Sequence, residues 1–118
     1  MSLATTLTQS DQNHPPLVLI HGLGSAATAF KPIIPALAQS FRVITVDLPG
    51  HGQSPYNKAQ AMDPKSLGRA IFESVESRYG INEFHVAGNS LGGWIALEMA
   101  ADKPERIKTL TGLAPAGL

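Results

Sequence analysis

Ser90 lies in a short glycine-containing motif that is typical of a nucleophilic serine. Residues 88–92 read Gly-Asn-Ser-Leu-Gly, which fits the pattern G-x-S-x-G, and Gly93 follows. An apolar strand-like run ends at Gly88 and an apolar helical run begins near Leu91, which is the context that this motif requires. The turn lifts the hydroxyl above the sheet edge, and its strained backbone demands small neighbours. A serine that only caps the helix is the alternative, and the flanking strand and helix make it the weaker one.

A second motif, residues 21–24 with the sequence His-Gly-Leu-Gly, follows the first buried run. Acyl transfer at a serine needs two N–H donors aimed at one developing oxyanion. One donor is the residue after the nucleophile, here Leu91. The other comes from the loop that joins the first buried strand to the helix after it. Leu23 is the predicted second donor, with Gly24 as the next choice. Alone, this segment is better explained as a glycine turn between strand and helix, but beside the serine motif the oxyanion-donor interpretation is favoured.

A third motif, residues 47–54, reads Asp-Leu-Pro-Gly-His-Gly-Gln-Ser after the second buried run. Asp47 stands at the carboxyl end of a predicted strand, where parallel sheets place their sites. A catalytic acid there is conceivable, but a tight loop shaped by local hydrogen bonds is the favoured interpretation. His21 and His51 lie on loops at the same edge, and a direct catalytic role for either is the weaker interpretation. His85, inside a strand, is expected to pack.

The elements that position these motifs alternate between buried strands and helices. Apolar runs predict strands near residues 17–21, 41–47, 83–88 and 107–113, with helical stretches between them. Short connections in this order predict an α/β fold, with a parallel sheet and flanking helices. Residues 1–16 are polar and are expected to form a flexible N-terminal arm, with an edge strand near residues 3–7. Residues 17–118 form the predicted domain.

Together, the three motifs resemble the α/β-hydrolase superfamily in their order and spacing. The resemblance covers about residues 17–118 and implies the strand order 4-3-5-6 in the family's numbering, an incomplete core. It implies Ser90 as the nucleophile, with Leu23 and Leu91 as the oxyanion donors. The serine branch of the family acts on esters, thioesters, amides or C–C bonds in acylated chains. The sequence is most similar to small esterases, cofactor-free perhydrolases and meta-cleavage-product hydrolases; haloalkane dehalogenases and epoxide hydrolases use aspartate at this position.

The sequence departs from the family after Ser90. The triad runs Ser, then Asp or Glu, then His along the chain. No histidine follows Ser90, and the acidic residues that do are Glu98, Asp102 and Glu105. We therefore expect a truncated product, a fragment or one half of a split protein. The expected partners are a small-molecule acyl substrate and either a complementary C-terminal half or a second copy docked on an uncovered sheet face.

Composition bounds the remaining classes of function. Hydrophobic residues make up 43% of the 118 residues and charged residues 15%, nine Lys+Arg balance nine Asp+Glu, and there is no cysteine. No basic patch favours nucleic acid, no run is long enough for a membrane span, and no thiolate metal site is available. We expect a cytoplasmic protein with no cofactor and no metal.

Three functional interpretations remain. The first is a serine hydrolase that needs its missing acid and histidine from elsewhere. The second is a non-catalytic fragment or interaction module that retains the fold. The third, a nucleotide-binding domain, is weak because residues 21–28 do not supply G-x-G-x-x-G.

Overall fold

The computed structural model describes residues 3–8 and 11–113, and strands and helices alternate along them. The strands are β1 (Thr5–Leu7), β2 (Pro16–Ile20), β3 (Arg42–Val46), β4 (Phe84–Asn89) and β5 (Ile107–Leu113). The helices are α1 (Ile34–Leu37), α2 (Pro64–Tyr79) and α3 (Leu91–Asp102), with 3₁₀ turns at Ala27–Phe30 and Pro104–Arg106.

The sheet has five strands in the order β1-β3-β2-β4-β5. The pairs β2–β3, β2–β4 and β4–β5 are parallel, so the four predicted strands and their order 4-3-5-6 are confirmed. Strand β1 pairs with β3 in the antiparallel direction, which makes the whole sheet mixed rather than parallel throughout.

The segment before Pro16 contacts the body of the domain over part of its length. Leu3 is fully buried, its N–H donates to Ser74 Oγ at 2.9 Å, and the N–H of Ala4 donates to Ser54 Oγ at 2.8 Å. These bonds hold β1 against the sheet edge. The flexibility predicted for residues 1–16 stays a prediction.

Helix α2 has clear signals at both ends. Asp63 caps its first turn, because the carboxylate accepts the N–H of Ser66 at 3.0 Å. Hydrogen bonds from the side chain and then the backbone of Ser66 lower the pKa of Asp63. Gly80 ends the helix with a left-handed φ of 68°. The helical stretch between β2 and β3 consists of a 3₁₀ turn and the single turn of α1. The prolines at 32 and 35 remove backbone donors there.

The core lies mainly on one side of the sheet. Helices α2 and α3 pack there against alternate residues of β2, β3 and β4, among them Val18, Ile20, Ile44 and Val86. The opposite side carries a smaller cluster formed by Leu17, Leu19, Phe30 and Val43.

Past the smaller cluster, this second side is open. A cavity of about 270 Å³ lies between the 3₁₀ turn, α1 and the strands β4 and β5. Ile33 and Leu113, which line the cavity, are 44% and 46% exposed. The core is therefore incomplete on the side that faces β4 and β5.

Candidate active site

Ser90 joins the end of β4 to the start of α3 in an unusual backbone conformation. Its φ is 57° and its ψ is −116°, and among the described residues it is the only non-glycine with positive φ. The residue is exposed, and its own N–H donates to the carbonyl of Leu113 at 3.0 Å. The hydroxyl of Ser90 thus stands on a sharp strand-to-helix turn at the carboxyl edge of the sheet.

The glycines on either side of Ser90 allow this turn to form. A Cβ on Gly88 would lie 2.1 Å from the carbonyl oxygen of Gly92, and a Cβ on Gly92 would lie 2.1 Å from the carbonyl oxygen of Ile20. Both distances are far below van der Waals contact with backbone atoms that cannot rotate away. Only glycine therefore lets α3 begin directly against the ends of β4 and β2.

The first loop, residues 21–25, lies beside the serine. A Cβ built on Gly22 would lie 3.3 Å from Ser90 Cβ and 3.9 Å from Ser90 Oγ. Leu23, the next residue, is 74% exposed. Within the described part of the chain, the N–H groups of Leu23 and Leu91 have no hydrogen-bond acceptor. The N–H of Gly24, in contrast, is already bonded to His51 Nε2 at 2.9 Å, which favours Leu23 over Gly24 as a donor.

Asp47 shapes the second loop, residues 47–54. Its two carboxylate oxygens accept the N–H groups of Ala27 at 2.8 Å and Gln53 at 3.1 Å. Its backbone carbonyl accepts the hydroxyl of Ser54 at 2.6 Å. A Cβ on Gly52 would lie 2.3 Å from the Asp47 carboxylate, so the loop wraps closely around this side chain. Asp47 therefore stabilises the conformation of this loop through hydrogen bonds.

His21 connects the two loops from inside the molecule. The imidazole is 1% exposed, its Nδ1 lies 2.7 Å from the carbonyl of Gly22, and its Nε2 accepts the N–H of Leu48 at 3.0 Å. Burial is the main cause that lowers the pKa of His21 below 6.5, and the neighbouring His51 adds to the effect. The hydrogen bond to Gly22 and the charge of Asp47 oppose it. The neutral imidazole is therefore favoured.

His51 connects the same loops nearer the surface. Its Nε2 accepts the N–H of Gly24, and its Nδ1 lies 3.0 Å from the carbonyl of Pro49. Because both nitrogens of His21 and of His51 are engaged by backbone groups, neither ring offers a free nitrogen to the Ser90 hydroxyl. The residue types predicted these loops, but the bonds between them depend on three-dimensional contacts that sequence spacing does not reveal.

His85 and Asp102 have partners of their own. His85 on β4 contacts Thr109 Oγ1 at 2.6 Å and the ring of Phe41, as expected for a packing residue. Asp102, at the end of α3, pairs with Arg69 at 3.2 Å, which lowers the pKa of Asp102. Among the described residues, no three His, Cys, Asp or Glu side chains converge as metal ligands. The same residues include no helix long and apolar enough to cross a membrane.

A family model described as the alpha/beta hydrolase fold matches residues 15–117. The chain belongs to the α/β-hydrolase family. The resemblance read from the three motifs is confirmed.

Individual α/β-hydrolase relatives are larger than this chain. It is 35% identical over 98 residues to a pimeloyl-[acyl-carrier protein] methyl ester esterase of Legionella pneumophila, covering 83% of this chain and 37% of the relative. This chain is also 39% identical over 103 residues to the dihydrolipoyllysine-residue acetyltransferase component of an acetoin cleaving system of Pseudomonas putida. The match covers 87% of this chain and 27% of that relative. The structure of the 2-hydroxy-6-oxo-6-phenylhexa-2,4-dienoate hydrolase of Rhodococcus sp. superposes on this chain with a TM-score of 0.82 at 31% identity. The superposition covers 98% of this chain and 43% of the hydrolase. The chain thus spans between about a quarter and under half of the length of these proteins.

Proposed function

We propose that this α/β-hydrolase chain carries the nucleophile and the oxyanion donors of a serine hydrolase. The observation that supports this most directly is Ser90 itself, an exposed serine with φ of 57° at a strand-to-helix turn enforced by Gly88 and Gly92. A residue kept in a rare conformation at a sheet edge points to a functional role for its side chain.

The proposed reaction begins with attack of Ser90 Oγ on the acyl carbon. The carbonyl π electrons move to oxygen, and the N–H groups of Leu23 and Leu91 stabilise the oxyanion. Collapse of this tetrahedral intermediate breaks the bond to the leaving group, which takes up the proton that Ser90 lost to the base, and leaves an acyl-serine. Water then attacks the acyl-serine, releasing the acid and the free hydroxyl of Ser90.

This reaction needs a base that takes the proton of Ser90 and an acid that orients the base. No described histidine is placed for that role, since both nitrogens of His21 and of His51 are bonded to backbone groups. We propose that both residues come from outside these 118 residues, in a longer parent chain or a second polypeptide.

The proposed substrate is an ester, a thioester or a related acyl compound. The support for this class is the esterase named among the relatives, together with a serine rather than an aspartate at position 90.

A first experiment measures p-nitrophenyl acetate hydrolysis by the isolated chain and its Ser90→Ala variant. We expect very slow turnover or none, and no difference between the two proteins, because a serine without a base is a poor nucleophile. Robust turnover that Ser90→Ala abolishes would mean that this chain, or a second copy, supplies its own base.

A second experiment supplies the missing residues. Residues 1–118 replace the matching segment of the Legionella pneumophila esterase, and hydrolysis of the same ester is measured. Ser90→Ala should lower kcat by at least about 10³-fold, whereas Ser77→Ala, an exposed serine of α2, should leave it unchanged. Mass spectrometry after treatment with a fluorophosphonate should find the adduct on Ser90. A folded chimera that is inactive and unlabelled would favour the non-catalytic alternative.

A further inference from the structure

The first loop, which carries Leu23, is tied to the second loop by imidazole acceptors. Its only described backbone bond within the loop is from the N–H of Ser25 to the carbonyl of Gly22 at 3.1 Å. The N–H of Gly24, one residue from the proposed oxyanion donor Leu23, donates to His51 Nε2 at 2.9 Å. This bond ties the exposed Gly24 to a side chain twenty-seven residues further along the chain.

This contact fixes the tautomer of His51. A ring nitrogen that accepts an N–H carries no proton, so Nε2 is bare and the proton of the neutral ring is on Nδ1. That proton donates to the carbonyl of Pro49, 3.0 Å away. His51 can hold Gly24 only while its ring is neutral, because a protonated Nε2 would place one donor against another.

We propose that His51 is a positioning residue, whose neutral imidazole anchors Gly24 and with it the N–H of Leu23, and whose protonation releases the loop. The link to catalysis rests on the proposed function, because it assumes that Leu23 is an oxyanion donor. The anchor itself is a property of the two loops and can be measured without any turnover.

The surroundings of His51 allow this switch to operate. The ring of His21 lies 5.1 Å away between centroids and contributes no negative charge. Asp47 belongs to the same second loop, and the N–H groups of Ala27 and Gln53 occupy its carboxylate. Tyr56 lies near Gly50 of that loop. The rest of the first loop, residues 22–25, and the first turn of α3 have no acidic residue that could pair with a charged His51.

The anchor is tested by NMR on the nitrogen-15-labelled chain. At pH 8, the imidazole nitrogens of His51 should show a protonated Nδ1 and a bare Nε2. As the pH falls, the amide signal of Gly24 should shift with the same midpoint as the imidazole signals of His51. Exchange of the Gly24 amide, corrected for its intrinsic pH dependence, should accelerate between about two-fold and ten-fold, the range for loss of one hydrogen bond.

Three variants separate the anchor from a general structural role. His51→Gln retains an acceptor that does not titrate, so Gly24 should keep slow exchange at every pH. His51→Phe retains a ring without an acceptor, so exchange should be fast at every pH. His85→Gln, a histidine of β4 that contacts Thr109 instead, should leave Gly24 unchanged.

The proposal is overturned if the Gly24 amide ignores the titration of His51, or if His51→Phe leaves its exchange rate unaltered in a folded chain. In the esterase chimera, His51→Phe should lower kcat more than it raises KM, and His51→Gln should restore kcat. Equal kcat values for the parent chimera and for His51→Phe would overturn the positioning role. A chimera indifferent to Ser90→Ala would refute the proposed function, while the Gly24 measurements would still decide whether the anchor exists.

Discussion

Ser90 occupies a conformation that opposes folding. A non-glycine residue in such a sparsely populated region costs about 1–3 kcal/mol. Glycine would adopt the same angles without that cost but would remove the hydroxyl. The neighbouring positions 88 and 92 are glycine, whereas position 90 is serine. The side chain is thus retained at the one place in the turn where it is unfavourable, which supports a role in chemistry.

The buried imidazole of His21 makes the free energy of unfolding depend on pH. Burial holds its pKa below the value of 6.5 that it has in an unfolded chain. As the pH falls below about 6.5, the unfolded chain therefore binds a proton at His21 that the folded chain does not bind. The free energy of unfolding should fall in that window, by at most about 1.4 kcal/mol per pH unit for one group.

Urea denaturation at several pH values between 7.5 and 5 measures this slope. The slope should flatten in His21→Gln, which cannot titrate, and persist in His85→Gln. An identical slope in all three proteins would show that His21 is protonated equally in the folded and unfolded states.

Helix α3 approaches the sheet more closely than ordinary side chains permit. Gly92 lies in its first turn and contacts the ends of β2 and of the first loop, since its Cβ would lie 2.1 Å from Ile20 O and 2.8 Å from His21 O. The start of α3 is therefore the element that brings Ser90, Leu91 and the first loop together.

Replacement of Gly92 tests this close approach. Gly92→Ala should lower the free energy of unfolding by about 3 kcal/mol or more, because an extra methyl group in a packed site forces backbone atoms apart. Gly80→Ala is the matched control: nothing lies within 4 Å of the added Cβ, so only the left-handed φ opposes it. That change should cost about 1–2 kcal/mol. Thermal or urea denaturation compares them, and equal losses would contradict the close approach.

The elements that sequence patterns predicted well are those with strong local signals. Strands β2 to β5 are runs of apolar or β-branched residues, and α2 has a 3.6-residue period between Asp63 and Gly80. Glycine at positions 88 and 92 predicted the turn at Ser90, because the sharp turn leaves room only for small residues on either side of the serine. The anchoring of the first loop by His21 and His51 was not predictable. It rests on hydrogen bonds between residues that are 27 positions apart.

At the scale of the whole molecule, the chain is compact, but the two sides of its sheet are covered unequally. Its radius of gyration is 12.8 Å, close to the value of about 13.5 Å for a globular chain of this length. Helices α2 and α3 cover one side of the sheet, while on the other side the described residues 3–8 and 11–113 provide only the 3₁₀ turn and the short α1. Parallel strands are usually covered on both sides, so the open side is where the molecule departs from a complete domain.

The open side should bind an apolar dye. Anilinonaphthalene sulfonate should fluoresce more strongly with this chain than with a full-length relative, because the cavity of about 270 Å³ is lined mostly by apolar side chains, two of which, Ile33 and Leu113, are partly exposed. Ile33→Glu, which charges that cavity, should reduce the signal. Met62→Glu changes a similarly exposed residue elsewhere and should not. A signal unaffected by Ile33→Glu would place the dye at another surface.

The hydrogen bond from Ser90 N–H to the carbonyl of Leu113 also makes the end of β5 a natural place for a reporter group. The 118 residues contain no cysteine, so a thiol introduced at position 113 would be unique and could carry one fluorophore. Leu113 is 46% exposed, which leaves room for such a label. A dye there would lie on the residue that is hydrogen-bonded to Ser90, and its emission would change when a ligand or a partner covers this part of the molecule.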